Sequence, residues 1–109
     1  MDEKTVRKVK EKIFQIAEES QLDIEQLIIF GSRAREDYTE DSDVDIVIVS
    51  EGFEGTEWYK RGQEFHFKWD YQEMPEPEII CLTPEEYRER SQKLGDVVRK
   101  ASKEGIQLA

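Results

Sequence analysis

The sequence predicts an α/β fold: a sheet of short strands with helices packed against it, in the order α-β-α-β-α-β-α. Two observations carry this expectation. Three short runs, QLIIF, VDIVIV and EIICL, are dense in apolar and β-branched residues and are bounded by turn residues. Between and around them, apolar residues recur at helical spacing among Lys, Arg and Glu.

Residues 3–20 place Val6, Val9, Ile13, Phe14, Ile16 and Ala17 on one helical stripe. Residues 26–30 form a buried strand ended by Gly31. Ser32 has the chemistry of a helix N-cap and opens a short turn, SRARED. The VDIVIVS run is nearly all apolar, as a central strand covered on both faces would be. Residues 56–73, with Trp58, Phe65 and Trp69 roughly on one face, are expected to be a helix. EIICL is the third strand. Thr83-Pro84-Glu85-Glu86 is a strong helix start, and that helix is expected to run to Gly105. No linker, repeat or low-complexity tail appears, so residues 1–109 are expected to form a single domain.

The totals narrow the function classes. Lys+Arg number 16 and Asp+Glu 26, a net charge of −10. That balance opposes broad contact with a nucleic-acid backbone, which needs clustered cations. It leaves room for a small phosphate ligand held through a metal. The single cysteine, Cys81, excludes a disulfide framework and reads as a buried small hydrophobe. No apolar stretch approaches a membrane span and the N-terminus is charged, so a cytoplasmic protein is expected.

The chemistry concentrates in residues 31–45, GSRAREDYTEDSDVD. Gly31 after a strand lets a ligand approach the backbone, and a helix starting at Ser32 directs free N–H groups at it, which suits phosphate. Arg33 and Arg35 are candidate phosphate donors, or surface charges paired with Glu36 and Asp37. Asp43 and Asp45 stand at i and i+2, so they leave the strand on the same side. Aspartate is a poor strand residue, and Asp45 sits between Val44 and Ile46 in a run too apolar for a casual charge. Two carboxylates in that arrangement suit a hard divalent cation such as Mg²⁺ or Mn²⁺.

The string from Ile28 to Val49, IIFGSRAREDYTEDSDVDIVIV, resembles the signature of the minimal nucleotidyltransferase family of the DNA polymerase beta superfamily. The resemblance extends to the leading helix, the third strand followed by LTPEEY, and the closing helix. It implies a small mixed sheet of the polymerase beta-like fold. It also implies that Gly31 and Ser32 contact a nucleoside triphosphate and that Asp43 and Asp45 hold two Mg²⁺ ions, with Mn²⁺ an alternative. The family's third carboxylate falls at Glu78, which would complete the metal set and act on the nucleophile; Glu76 shares its strand parity and ranks second. The chain departs from the family twice: Asp is common where Glu78 stands, and Gly where Glu36 stands. Relatives commonly act with a small helical HEPN-type protein as the antitoxin half of a toxin–antitoxin pair, some by transferring AMP from ATP to the partner.

Two functions are therefore expected to compete. One is a Mg²⁺-dependent nucleotidyltransferase with ATP as substrate and a HEPN-type protein as acceptor. The other is a catalytically weak module that binds nucleotide and neutralises its partner by contact through the aromatic segment. A transferase acting on nucleic acid is opposed by the −10 charge. His66, the only histidine, has no second ligand nearby in sequence and is not assigned to a metal.

Overall fold

The computed structural model describes residues 3–31, 34, 38–39 and 42–109. Its elements are α1 (Glu3–Glu19), β1 (Gln26–Phe30), β2 (Val44–Val49), α2 (Gln63–Phe67), β3 (Pro77–Leu82), α3 (Pro84–Arg90), α4 (Val97–Glu104) and β4 (Ile106–Gln107). Short 3₁₀ turns occupy Glu51–Phe53 and Trp58–Lys60. The strands make one mixed sheet in the order β3-β2-β1-β4. β1 runs antiparallel to β2 and β4, and β2 runs parallel to β3.

The period of two along the strands divides the core. On one face, Val9, Ile13, Ile16 and Ala17 of α1 pack on Leu27, Ile29, Val44, Ile46 and Ile48, with Phe53, Phe65, Trp69 and Cys81 closing the margin. On the other, Val98 and Ala101 of α4 cover Ile28, Phe30, Val47, Val49 and Leu82. β2 is thus buried from both sides, and every residue in it is buried except Asp45. This is the covered central strand that its apolar run predicts, with one charge kept at its opening.

Two expected helices are shorter than the periodicity suggests. The predicted helix over residues 56–73 breaks into the 3₁₀ turn, α2 and a turn. Gly62 stands at the N-cap of α2, and the Asp70 carboxylate accepts from Gln72 N and Glu73 N at 3.2 Å each, drawing the backbone into an Asx-type turn. Only Phe65 and Trp69 of its aromatics are buried; Trp58, Tyr59, Phe67 and Tyr71 are exposed. The closing helix divides into α3 and α4. Gly95 takes φ +82°, and Asp96 then caps α4 by accepting from Val98 N at 2.8 Å while Arg90 grips the same carboxylate at 3.1 and 3.2 Å. The two-residue β4 was too short to carry a strand pattern.

The predicted start at Thr83 is present as a full capping box. Thr83 Oγ1 accepts from Glu86 N at 3.2 Å and Glu86 Oε1 accepts from Thr83 N at 2.8 Å. Arg61, nearly buried, donates to the same Glu86 oxygen at 2.6 Å and to Cys81 O at 3.2 Å. The Arg61 hydrogen bond holds the Glu86 carboxyl below its ordinary pKa of 4.5. A lowered folded-state pKa contributes stability above the unfolded value, and that stability is lost as pH falls through the folded value. Thermal unfolding midpoints between pH 7 and pH 3 are expected to fall more steeply below 4.5 in the wild type than in Glu86→Gln. Parallel curves would show that the Arg61 contact adds nothing to acid stability.

Candidate active site

The site begins where β2 begins. Thr39 N donates to Ser42 Oγ at 2.9 Å and Ser42 N to Thr39 O at 3.1 Å, a tight turn that delivers the chain to Asp43. Val44 N donates to Glu76 O at 2.9 Å, fixing the start of β2 beside the start of β3. Asp43 is exposed at the mouth of the strand and Asp45 is half-buried within it. In the sheet register Asp45 faces Phe30 of β1 on one side and Glu78 of β3 on the other. Residues in register share a face, and neighbouring strands lie about 4.7–4.9 Å apart. Asp45 and Glu78 therefore belong to one side of the sheet, the side that α4 covers further along, and Asp43 stands just before the strand begins.

Gly31 ends β1 directly against Asp45. Its φ is +78°, a conformation that favours glycine, and a Cβ added there would land on the Asp45 carboxylate Oδ2. The loop backbone thus passes closer to that carboxylate than any side chain would permit. Gly31 O accepts from Ala34 N at 3.1 Å, which turns the chain away from the strand. A cavity of about 190 Å³ opens beside them, lined by Phe30, Gly31, Asp45, Val97, Lys100 and Glu104.

Of the residues expected from sequence, Gly31 and Asp45 adjoin, and Asp45 and Glu78 are register partners. Ser32, Arg33, Arg35 and Glu36 lie outside the described residues. Among the described residues, no three His, Cys, Asp or Glu side chains are gathered as a ready metal cage. The donor set nevertheless suits a divalent cation in kind: Asp45 and Glu78 share a sheet face and Asp43 precedes the strand, all hard oxygen donors, with Asp43 and Glu78 exposed. What sequence reasoning missed is the contribution of α4, whose Lys100 and Glu104 line the Asp45 cavity. The Gly95-Asp96 pair, a turn followed by a cap, was the signal that a separate helix starts there.

A larger concavity, about 920 Å³, lies elsewhere. It is lined by Trp58, Tyr59, Gly62, Gln63, Glu64, His66, Phe67 and Ile79. Ile79 packs toward the α1 side, so this groove opens across the sheet from Asp45. His66 Nδ1 lies 3.4 Å from Tyr71 Oη, and among the described residues it belongs to no group that could hold a metal ion. Cys81 is buried, its thiol pushed up to about 12 by desolvation, which makes it an inert core residue as its apolar context predicts.

A family model for the nucleotidyltransferase domain matches residues 10–107. No curated protein matches the sequence. The fold is similar to that of a Sulfolobus solfataricus protein solved at 1.40 Å as a candidate nucleotidyltransferase. The two share 23% identity at a TM-score of 0.65, over 95% of this chain and 78% of that one, a likeness of fold. Among the described residues, no helix is long and apolar enough to cross a membrane.

Proposed function

Because the chain belongs to the nucleotidyltransferase domain family, we propose that it transfers AMP from ATP to an acceptor in a Mg²⁺-dependent reaction. The observation that carries this reading is the contact between Gly31 and Asp45, with Glu78 in register beside them. It joins a backbone loop suited to phosphate with carboxylates suited to the cations that accompany phosphate.

Asp43, Asp45 and Glu78 would hold the metal, which, when bound, neutralises charge developing on the phosphate oxygens. The chain's own residues do the rest. Gly31 leaves room for the phosphates against the backbone, and Ser32, Arg33 and Arg35 follow it in sequence as donors. An acceptor hydroxyl oxygen bonds to the α-phosphorus as the α–β bridging bond breaks. Pyrophosphate departs with that electron pair, and Glu78 takes the hydroxyl proton. The lone cysteine and histidine have no part in this chemistry.

For the acceptor, the reading favours a HEPN-type helical protein, with this chain as its antitoxin. The exposed Trp58, Tyr59 and Phe67 support protein contact, since Trp and Tyr are enriched at interfaces. Two points favour the second reading, a binding module with little turnover: the described carboxylates are not gathered as a cage, and Glu78 stands where the family resemblance places the shorter Asp.

The test is label transfer. The protein is incubated with Mg²⁺ and a lysate of its source cell, in parallel with α-labelled and γ-labelled ATP. Transfer of the α label alone to one macromolecule is expected, and Glu78→Asp should retain or raise it. Transfer of the γ label would mean phosphoryl transfer and contradict the proposal. No transfer, with Mg-ATP still bound, would establish the binding module.

A further inference from the structure

We infer that Lys100 forms the cationic wall of the nucleotide site and binds the phosphate tail of the nucleoside triphosphate across the cavity from Asp45. This rests on the transferase reading above and adds a residue that the Gly-Ser and Asp-x-Asp motifs do not contain.

Three observations lead to it. The first is placement. Val97, Lys100 and Glu104 stand at i, i+3 and i+7, one stripe of α4, and all three line the cavity with Phe30, Gly31 and Asp45. The stripe is held there by its neighbours. Val98 and Ala101 are buried against the sheet. The helix then leaves through Gly105, where an added Cβ would overlap Ala101 O and Ile28 Cγ2. α4 thus lies close against β1, which sets the backbone of Lys100 at the cavity's rim.

The second observation is charge. Among the described residues Lys100 has no salt-bridge partner, although Glu104 is one turn away. A second groove, of about 460 Å³, shares Val97, Lys100 and Glu104 with the cavity and adds Arg99 and Lys103. Its other acid, Asp96, is already engaged by Arg90 and Val98 N. In a chain of net charge −10, that groove carries three cations, Arg99, Lys100 and Lys103, against the acids Asp96 and Glu104. Such a focus attracts an anion, and an acidic macromolecule elsewhere repels it.

The third is size. A cavity of about 190 Å³ is smaller than the ~300–1,000 Å³ that encloses a drug-sized ligand. It takes one end of a nucleotide. A lysine facing an aspartate that suits a metal fits the phosphate end, which needs both a cation and a metal. Lysine meets phosphate as a point charge and does not demand the planar fit of arginine.

The experiment is calorimetric titration of the whole chain with Mg²⁺ and a non-hydrolysable ATP analogue, and separately with AMP. The variants are Lys100→Gln, Lys100→Arg and, as a charge-matched control on the opposite face of the sheet, Lys8→Gln. Lys100→Gln is expected to weaken the triphosphate about tenfold and AMP by less than about twofold, with Lys100→Arg restoring most of the loss. Lys8→Gln should bind as wild type does. Equal loss for both ligands would mean a structural role, and no loss at Lys100→Gln would overturn the inference while leaving the transferase reading intact. A wild type that binds no triphosphate would overturn both. Lys100 is exposed, so the unfolding midpoint of its variants is expected to stay with the wild type and keeps these outcomes distinct.

Discussion

Asp45→Asn is expected to reduce nucleotide transfer about a thousandfold while the protein stays folded. The substitution keeps the size and shape of the side chain and removes its charge. Asp45 is half-buried in a strand otherwise fully buried, faces Glu78 in register and abuts Gly31. A carboxylate there serves a ligand better than it serves the sheet. If Asp45 holds the metal as proposed, its loss removes several kcal/mol of transition-state stabilisation, and about 4 kcal/mol is a factor of ~10³ in rate. The measurement is α-label transfer by Asp45→Asn beside its circular dichroism and thermal midpoint. A folded Asp45→Asn that transfers label at the wild-type rate would remove the basis of the proposed mechanism.

Gly31→Ala tests the same site from its other side. Two costs combine. An alanine at φ +78° carries about 1–2 kcal/mol of backbone strain. Its Cβ also lands on the Asp45 carboxylate, which must turn aside or push the loop away. For a chain of this size the strain alone lowers the thermal midpoint by about 4–8 °C per kcal/mol. Displacing a site group by an ångström costs about 10²-fold in rate. Gly55→Ala separates the two effects. Gly55 has φ +79° but nothing within 4 Å of an added Cβ, so it should lower stability without touching transfer. If Gly31→Ala and Gly55→Ala lose activity alike, the Gly31–Asp45 contact has no functional meaning.

How much of this was legible in the sequence depends on which physical signal each residue carried. α1, β1, β2 and β3 appear where the apolar periods place them, because long stripes and dense β-branched runs have no other way to hide from water. Thr83 caps its helix as the capping-box pattern requires. Residues 56–73 misled because their aromatics are spaced like a helical face, while Gly62 and Asp70 offer the backbone better turns. The break at Gly95-Asp96 was visible as turn-plus-cap chemistry, but the flanking Leu94 and Val97 kept the helical pattern going. Both are in fact exposed.

The site was legible in part. Asp45 stood out because charge is costly inside an apolar run, and Asp43 because it stands two residues before it. The Asp45–Glu78 pairing follows only from a parallel register, which local sequence does not state. The closeness of Gly31 to Asp45 likewise depends on how β1 and β2 are matched. Lys100 was beyond reach. It lies 55 positions from Asp45 along the chain, and only the return of α4 over the sheet brings the two to one cavity.

In the proposed reaction Asp43, Asp45 and Glu78 gather a divalent ion beside Gly31 when a triphosphate binds. The direct measurement is a crystal structure grown with Mn²⁺ and a non-hydrolysable ATP analogue, with anomalous scattering recorded at the manganese edge. An anomalous peak is expected within coordinating distance of the Asp43 and Asp45 carboxylates, with the phosphates lying along Gly31. A triphosphate bound with no peak there, or manganese and nucleotide seated in the aromatic groove across the sheet, would contradict it.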